Sequence, residues 1–359
     1  MYIFQLKNSL SDMKILSKEV SVVFQGAINQ KYIENGVDSV RKYLPESEII
    51  ISTWEGQLLP SSCADKVDRI LFNRDPGGTI FTRDGKIQNQ NRQIFSTKEG
   101  ILASTRKYVL KLRSDMKLTG TRFLSFFAYF DKRASEYKVF KEKILINNLY
   151  TRDARGSLPY LFHPSDWCSF GYREDMLRLW DIPLAIEPES SSWFALHPQY
   201  TPDRNVLTRW HAEQYIWLMA LQKAGFEIDF DNWFSFTPEL AEISEKCLVN
   251  NFVVLDYKTQ YSIVSQKYPS KKGDSPVLGF LGWLALYRKY VDSNAKVPFR
   301  MGPIASLGFE REFFRLRKHC GSVFNPIYKL IKWLPEPLIT LFIAIRLVVK
   351  VFVSLINNK

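Results

Sequence analysis

VSVVFQGAI (residues 20–28) is a β-branched, apolar run that contains one glycine, Gly26, and it predicts a buried strand. Three more runs with buried-strand character follow: SEIIISTWEG (47–56), VDRILFNRDPGG (67–78) and KYVLKLRSD (107–115). Helical spacing lies between the strands, in VDSVRKYLP (37–45) and NQNRQIFSTKEGILAST (89–105). Strands that alternate with helices indicate crossover connections, so we predict an α/β fold with a mostly parallel sheet and flanking helices.

The predicted strands end in polar or glycine-containing segments. These ends are Gln25-Gly26, Thr53-Trp54-Glu55, Asp75-Pro76-Gly77 and Arg113-Ser114-Asp115. Because ligands of parallel α/β sheets bind at the carboxyl ends of the strands, these segments should meet at one edge of the sheet. The sequence therefore predicts a ligand site at this edge.

Composition limits the class of protein. The 359 residues carry 49 Lys and Arg against 37 Asp and Glu, a net charge of +12, which favours an anionic partner. A hydrophobic content of 46% is typical of a globular chain and excludes a disordered one. Four widely spaced cysteines argue against a disulfide framework or a cysteine zinc site and indicate reduced thiols in the cytosol. The amino terminus shows no secretory signal.

The carboxyl-terminal part of the chain is basic and apolar. Residues 301–359 contain nine Lys or Arg and only three Glu, which is half of the net charge. PLITLFIAIRLVVKVFVSLI (337–356) places Arg346 and Lys350 on one helix face. We predict a helical extension over 266–325 and, over 326–359, a basic amphipathic tail that lies on an anionic membrane surface. The alternative is a terminal helix packed on the protein's own core.

Several well-known motifs are absent from the sequence. It contains no G-x-G-x-x-G after the first strand, no G-x-x-x-x-G-K-[ST], no H-E-x-x-H and no G-x-S-x-G. Dinucleotide-binding, P-loop, zinc protease and α/β-hydrolase chemistry therefore lose support. The basic residues also concentrate beside an apolar tail rather than on a recognition helix, so nucleic acid is not an expected partner.

Arg113-Ser114-Asp115 is the first candidate site. The Asp115 carboxylate is a suitable ligand for Mg²⁺ or Mn²⁺ bound to a diphosphate, and Arg113 adds positive charge for the same phosphates. The alternative interpretation is an ordinary polar strand end.

The second candidate is the start of the helix at 89–105. Helix amino termini attract anions, and Asn91 and Arg92 lie there, although an asparagine at this place is equally typical of a cap. Asp75 lies in the turn segment DPGG (75–78) and is a further candidate for a nucleoside contact. The alternative is an ordinary turn residue.

Two carboxylates further along the chain are candidates for acid–base chemistry. Glu213 begins an apolar helix and is suited to act as a general base, although an acid in a first helical turn also stabilises the helix dipole. Asp166, in HPSDW (163–167), is either an acceptor-site residue or a helix cap. Nearby aromatic residues suit stacking on sugar rings but at this density are mostly core: Trp167, Tyr172 and Trp193.

The order and spacing of several segments resemble the WavE lipopolysaccharide synthesis family across most of residues 20–225. The segments are SVVFQGAI (21–28), VRKYLPESEIIISTWEG (40–56), DPGG (75–78), NQNRQIFSTKEGI (89–101), KYVLKLRSD (107–115), HPSDWCSFG (163–171) and AEQYIWL (212–218). The resemblance implies a bacterial glycosyltransferase-like protein that helps to build lipopolysaccharide core or a related surface glycan.

The same layout is more distantly similar to the GT-A fold, a Rossmann-type sheet of nucleotide-sugar transferases. In that fold a D-x-D motif binds metal and diphosphate, whereas here Arg113 replaces the first Asp and only Asp115 remains. An E-D pair often starts a later helix, and here it reads Glu213-Gln214. From the polar strand ends and the start of the helix at 89–105, we expect a nucleotide-sugar site at Gln25, Gly26, Trp54, Asp75, Asn91, Arg92, Arg113, Ser114 and Asp115.

We therefore expect a GT-A-like domain over 1–265, a divalent metal at Asp115, and Glu213 and Asp166 in the chemistry of the acceptor. The expected reaction moves a sugar from a nucleotide-sugar to a lipid-linked or oligosaccharide acceptor at the cytoplasmic membrane face. Transfer of a sugar phosphate and a non-catalytic role in glycan assembly are the alternatives.

Overall fold

The computed structural model describes residues 15–156, 159–202, 205–268 and 277–296. The predicted membrane tail at 326–359 lies outside the described residues, as does most of the predicted extension at 266–325. Across these described ranges, no helix is both long enough and apolar enough to cross a membrane.

Eleven strands and seven α-helices are present in the described residues. The strands are β1 (Val20–Gln25), β2 (Glu48–Trp54), β3 (Arg69–Asn73), β4 (Thr79–Ile80), β5 (Ile87–Gln88), β6 (Tyr108–Arg113), β7 (Met116–Leu118), β8 (Ile144–Asn147), β9 (Cys168–Tyr172), β10 (Phe252–Leu255) and β11 (Ile263–Ser265). The helices are α1 (Gln30–Tyr43), α2 (Gln90–Ala103), α3 (Arg173–Trp180), α4 (Trp193–Leu196), α5 (Ala212–Lys223), α6 (Pro238–Asn251) and α7 (Phe280–Tyr290).

Seven of the strands form one sheet in the order β10-β8-β9-β6-β1-β2-β3. Strands β6, β1, β2 and β3 run parallel, as do β10 and β8, while β9 is antiparallel to both of its neighbours. Two small antiparallel pairs, β4 with β5 and β7 with β11, lie apart from it. The predicted α/β fold with a mostly parallel sheet and flanking helices is therefore confirmed.

The four predicted strands of the first 115 residues are β1, β2, β3 and β6, and the predicted helix at 89–105 is α2. The helix predicted at 37–45 begins earlier, at Gln30, because Asn29 Oδ1 caps it by accepting a 3.2 Å hydrogen bond from the backbone nitrogen of Tyr32. The first turn of this helix is mostly polar, so the spacing of apolar residues does not indicate where the helix begins.

In the middle of the chain, local sequence patterns do not match the elements that form. FEIDF (226–230) alternates apolar and acidic residues in the pattern typical of a strand, but it forms none. Phe226 N donates to Leu221 O at 3.0 Å, and Phe226, Ile228 and Phe230 pack against the core. RFLSFFAYF (122–130) forms only a 3₁₀ turn, Arg122–Phe126, rather than a helix. Strand β9 and helix α6 were not predicted.

The core is built on the apolar residues of β1, β2 and β6, strands whose residues are almost all buried. Helix α2 lies close against β1 because Gly100 has no side chain: a Cβ atom there would lie 2.3 Å from Val23 Cγ1. Beyond residue 265, α7 buries Phe280 and Trp283 in the same core.

The strand register sets the position of the carboxyl edge. Gln25, the last residue of β1, lies beside Ser52 of β2 and Arg113 of β6. Gly26 follows with φ of +104°, a backbone conformation that favours glycine, and turns the chain away from the sheet. The ends of three neighbouring strands therefore open onto a common space.

Candidate functional site

A cleft of about 740 Å³ lies at this carboxyl edge. It is lined by Gln25, Gly26, Ala27, Ile28, Asn29, Tyr32, Trp54, Asp75, Asn89, Arg92, Gln93, Arg113, Ser114, Asp115 and Lys267. Eight of the nine residues predicted to bind a nucleotide-sugar are among them, and Asn91 is the exception. The convergence of the polar strand ends follows from the parallel sheet, as expected.

Hydrogen bonds join the ends of β1 and β6 at the floor of the cleft. The backbone nitrogen of Ser114 donates to Gln25 O at 3.0 Å, and its hydroxyl donates to Ala27 O at 2.6 Å. Gln25 Oε1 accepts a 3.1 Å hydrogen bond from Ser96 of α2. The floor is therefore held by the sheet and by α2 together.

Arg113 and Asp115 form a bidentate ion pair on one side of the cleft. Arg113 Nε and Nη2 donate to the two carboxylate oxygens at 3.0 and 3.1 Å, and Ser265 Oγ donates to Asp115 Oδ2 at 3.2 Å. The guanidinium of Arg113 lies 4.1 Å from the centre of the Trp167 ring. Trp167 thus supports the arginine by a cation–π contact and is itself buried.

Arg92 and Asp75 form a second bidentate pair. Arg92 Nε donates to Asp75 Oδ1 and Nη2 donates to Oδ2, both at 2.8 Å, and Nη1 donates to Asn89 Oδ1 at 2.7 Å. The hydrogen bonds from Arg92 lower the pKa of Asp75. The turn after β3 is closed by Gly77 N, which donates to Asp75 Oδ1 at 2.9 Å.

Asn91 points away from the cleft. Its Nδ2 donates to Ala185 O and its Oδ1 accepts from Ala185 N, both at 2.8 Å, and the residue is buried. Both polar atoms of the amide are therefore used to attach a distant segment to α2. We leave Asn91 out of the candidate site for this reason.

The residues of the cleft do not fit a divalent metal. In the part of the chain that the structure describes, no group of three or more His, Cys, Asp and Glu side chains is placed to hold a cation. Asp75 and Asp115 are the two carboxylates among the lining residues, and each is paired with an arginine. A cation at Asp115 would meet the guanidinium of Arg113, which has the same charge sign.

Asp166 and Glu213, the predicted acid–base residues, lie close enough for their charges to interact. Burial raises the pKa of Asp166, and the negative charge of Glu213 raises it further. Burial also raises the pKa of Glu213, which stands in the first turn of α5. Two carboxyl groups in one buried place favour a state in which one of them carries a proton.

Glu213 has one neutral and two positively charged neighbours besides Asp166. His163 Nε2 lies 3.7 Å from Glu213 Oε2, beyond hydrogen-bond distance. Burial, together with the positive charge of Arg152, lowers the pKa of His163 to about 3, so the imidazole is neutral at physiological pH. Arg152 and Arg113 are the positive charges that act on Glu213.

Two side chains donate hydrogen bonds to the backbone oxygen of Asp166, and the sequence interpretation missed both. Gln93 lines the cleft, and its Nε2 donates to Asp166 O at 3.0 Å. The fully buried Lys111 of β6 donates from Nζ to the backbone oxygens of Asp166 and, at 3.4 Å, of Trp167. A lysine inside the apolar run KYVLKLRSD was the signal that pointed to such a role.

The remaining aromatic candidates pack within the protein. Tyr172 stacks on Tyr108 with ring centres 5.2 Å apart. Trp193 stacks on His197 at 4.1 Å, within a separate aromatic cluster. Tyr172 and Trp193 therefore pack against other aromatic side chains of the protein, which is the alternative to stacking on a sugar ring.

Two crystal structures of S. aureus TarS are similar to the chain at a low level. The first has 12% identity and a TM-score of 0.28, and the match covers 66% of this chain and 35% of the TarS chain. The second, TarS 1–349, has 11% identity and a TM-score of 0.29, and the match covers 66% of this chain and 58% of that TarS chain. The chain thus spans roughly a third and somewhat more than half of the two TarS chains.

No curated protein matches the chain. The model of one protein family, described as WavE lipopolysaccharide synthesis, matches residues 20–306, a range that includes the whole cleft, Asp166 and Glu213. The resemblance seen in the sequence is thereby confirmed, and the chain belongs to the WavE lipopolysaccharide synthesis family.

Proposed function

We propose that the chain is a glycosyltransferase of the GT-A type that takes a sugar from a nucleotide-sugar and transfers it to a growing surface glycan. The observation that carries the proposal is the hydrogen bond from Gln93, a residue of the cleft, to Asp166, which lies beside Glu213. A basic cleft at the carboxyl edge of a parallel sheet suits a nucleoside diphosphate, and a carboxyl pair next to it suits a hydroxyl acceptor.

The proposed reaction is a displacement at the anomeric carbon of the donor sugar. The Glu213 carboxylate takes the proton of the acceptor hydroxyl, whose oxygen forms the new bond to the anomeric carbon. The bond from that carbon to the phosphate oxygen breaks, and the electron pair leaves with the nucleoside diphosphate. The cations of the cleft stabilise the charge that develops on this leaving group.

Glu213 is the base in this proposal and Asp166 is its protonated partner. The positive end of the α5 dipole favours the ionised form of Glu213, since Glu213 lies in the first turn. Asp166 lacks this position, and both burial and Glu213 favour its protonated form. A protonated Asp166 is able to donate a hydrogen bond that orients the acceptor.

The experiment is a screen of nucleotide-sugars with the full-length chain, with release of nucleoside diphosphate as the measurement. Glu213→Gln and Asp166→Asn should each lower turnover by about 10²-fold or more. Glu174→Gln is the matched control, because Glu174 is an exposed first-turn glutamate of α3. Wild-type rates in both site variants would contradict the assignment, and a phosphodiester product would identify sugar-phosphate transfer instead.

The acceptor and the location are further parts of the proposal. The family description favours lipopolysaccharide core or a related glycan as the acceptor, lipid-linked or as an oligosaccharide. The net charge of the tail favours a peripheral position on the inner face of the cytoplasmic membrane. Replacement of Arg346 and Lys350 by Glu in the full chain should reduce sedimentation with anionic vesicles, and unchanged sedimentation would contradict the membrane role.

A further inference from the structure

The two arginine–carboxylate pairs stand on opposite sides of the cleft. Arg113 is the last residue of β6 and Asp115 follows that strand, whereas Asp75 follows β3, and strands β1 and β2 lie between β6 and β3 in the sheet. Both pairs are bidentate, with donor–acceptor distances between 2.8 and 3.1 Å. Each pair thus has the geometry in which a guanidinium also binds a phosphate group.

We infer that Arg113 and Arg92 form a metal-independent diphosphate site, in which Asp115 and Asp75 occupy the arginines until the phosphates of the donor replace them. The inference rests on the proposed function, because a nucleotide-sugar is the ligand that brings a diphosphate to this cleft.

Charge supports this exchange. Arg92, Arg113 and Lys267 line the cleft together with Asp75 and Asp115, so these lining residues include one more cation than carboxylates. A diphosphate, with two or more negative charges, is a better partner for two guanidinium groups than a pair of single carboxylates. The side chains of Arg113 and Arg92 are about one-quarter to one-third exposed, so a ligand in the cleft is able to reach them.

The released carboxylates and the freed arginines both keep support. Asp115 retains the hydrogen bond from Ser265, and Asp75 retains the one from Gly77 N. Arg113 retains its cation–π contact with Trp167, and Arg92 retains its hydrogen bond to Asn89 Oδ1. The exchange therefore needs only a change of partner at each arginine.

Asp115 is the residue at which the two kinds of site differ. If Asp115 held a metal for the diphosphate, its removal would abolish donor binding. If Asp115 competes with the diphosphate for Arg113, its conversion to the neutral amide should strengthen binding. The substitution Asp115→Asn thus separates the two mechanisms by the sign of its effect.

The experiment is calorimetric titration of the full-length chain with UDP and GDP, in EDTA and in Mn²⁺. We expect wild-type binding of one nucleotide to be the same within about 2-fold in both conditions. Asp115→Asn should bind about 2- to 5-fold more tightly, because loss of the competing carboxylate removes an ion pair worth at most about 1 kcal/mol. Arg113→Gln and Arg92→Gln should each bind about 10-fold or more weakly, because each loses charged hydrogen bonds to phosphate.

The matched control is Asp68→Asn, which breaks a pair with Arg41 at the opposite, amino-terminal edge of the sheet and should leave nucleotide affinity unchanged. Binding that requires Mn²⁺ and is lost in Asp115→Asn would overturn the inference while leaving the proposed function in place. Failure of the wild-type chain to bind either nucleotide, or any donor in the screen, would instead contradict the proposed function itself.

Discussion

Gln93 lines the cleft and donates a 3.0 Å hydrogen bond from its side-chain amide to the carbonyl oxygen of Asp166, 73 residues further along the chain. This bond joins α2, which also carries Arg92, to the segment that precedes β9. The side chain of Gln93 thereby connects the proposed donor cleft with the carboxyl group proposed to act on the acceptor. The buried Lys111 holds the same carbonyl from the sheet, so the position of Asp166 is fixed from two sides.

Substitution of Gln93 by Leu should separate these two parts of the site. Loss of a hydrogen bond of this kind is worth about 1 kcal/mol, so we expect kcat to fall roughly 5-fold with little change in the KM of the donor. Gln93 also lowers the pKa of Asp166, so its loss should raise that pKa and move the acidic limb of the pH–rate profile upward. Steady-state kinetics across pH tests both effects, and an unchanged profile would contradict a positioning role.

The pH dependence of wild-type turnover follows from the raised pKa values of Asp166 and Glu213. A base acts only when it is ionised, so kcat should increase with pH through a range above the usual carboxyl pKa of about 4. The apparent pKa of the acidic limb of the pH–rate profile belongs to the Asp166–Glu213 pair rather than to one residue, because the two carboxyl groups interact. A rate that is constant from weakly acidic to neutral pH would exclude this pair as the source of the base.

Glu213→Gln should stabilise the protein at neutral pH while it lowers turnover. Burial raises the pKa of Glu213 in the folded state, so the folded state favours the protonated form. The stability contributed by this group is fully present below the pKa of the unfolded chain and is lost as pH rises through the folded pKa. Replacement by a neutral amide should recover about 1 kcal/mol, or roughly 2–4 °C in Tm.

Thermal unfolding of Glu213→Gln at acidic and neutral pH measures this effect directly. The gain over wild type should be present at neutral pH and should shrink at acidic pH, where wild-type Glu213 is already protonated. The control Glu174→Gln should show no such gain, because Glu174 is exposed. A Glu213→Gln variant that is less stable than wild type at neutral pH would show that the carboxylate is well stabilised where it lies.

Local sequence patterns were sufficient to predict the carboxyl edge of the sheet, but not the tertiary contacts between segments that are distant in the sequence. The β-branched run of β1 and the helical period of α2 depend on near neighbours, and parallel strands bring their carboxyl ends together whatever the rest of the chain does. Strand β9 lies between a polar loop and a helix, and its antiparallel pairing with β6 depends on residues about 60 positions away. In FEIDF (226–230) the alternating apolar residues pack against the core without forming a strand. An alternating pattern alone does not distinguish these two arrangements.

The same distinction applies to the site residues. Arg113 and Asp115 are two positions apart at a strand end, so their common location was predictable. The partners that decide their chemistry, Trp167 and Ser265, are tertiary neighbours and were not. The proximity of Asp166 to Glu213 likewise requires the segment before β9 and the start of α5 to meet, which no local pattern records.

Asn91 gives the sharpest contrast between a predicted and an observed role. Asn91→Ala removes both 2.8 Å hydrogen bonds with the Ala185 backbone and leaves a buried carbonyl and amide without these partners. We expect a loss of about 1–3 kcal/mol in the free energy of unfolding and an unchanged KM for the donor. Arg92→Gln, one position away in the cleft, should do the reverse, because its ion pair with Asp75 is partly exposed and contributes little stability. Chemical denaturation measures the free energy of unfolding of each variant, and steady-state kinetics measure the KM of each for the donor. An Asn91→Ala protein of normal stability with a raised donor KM would return Asn91 to the nucleotide site.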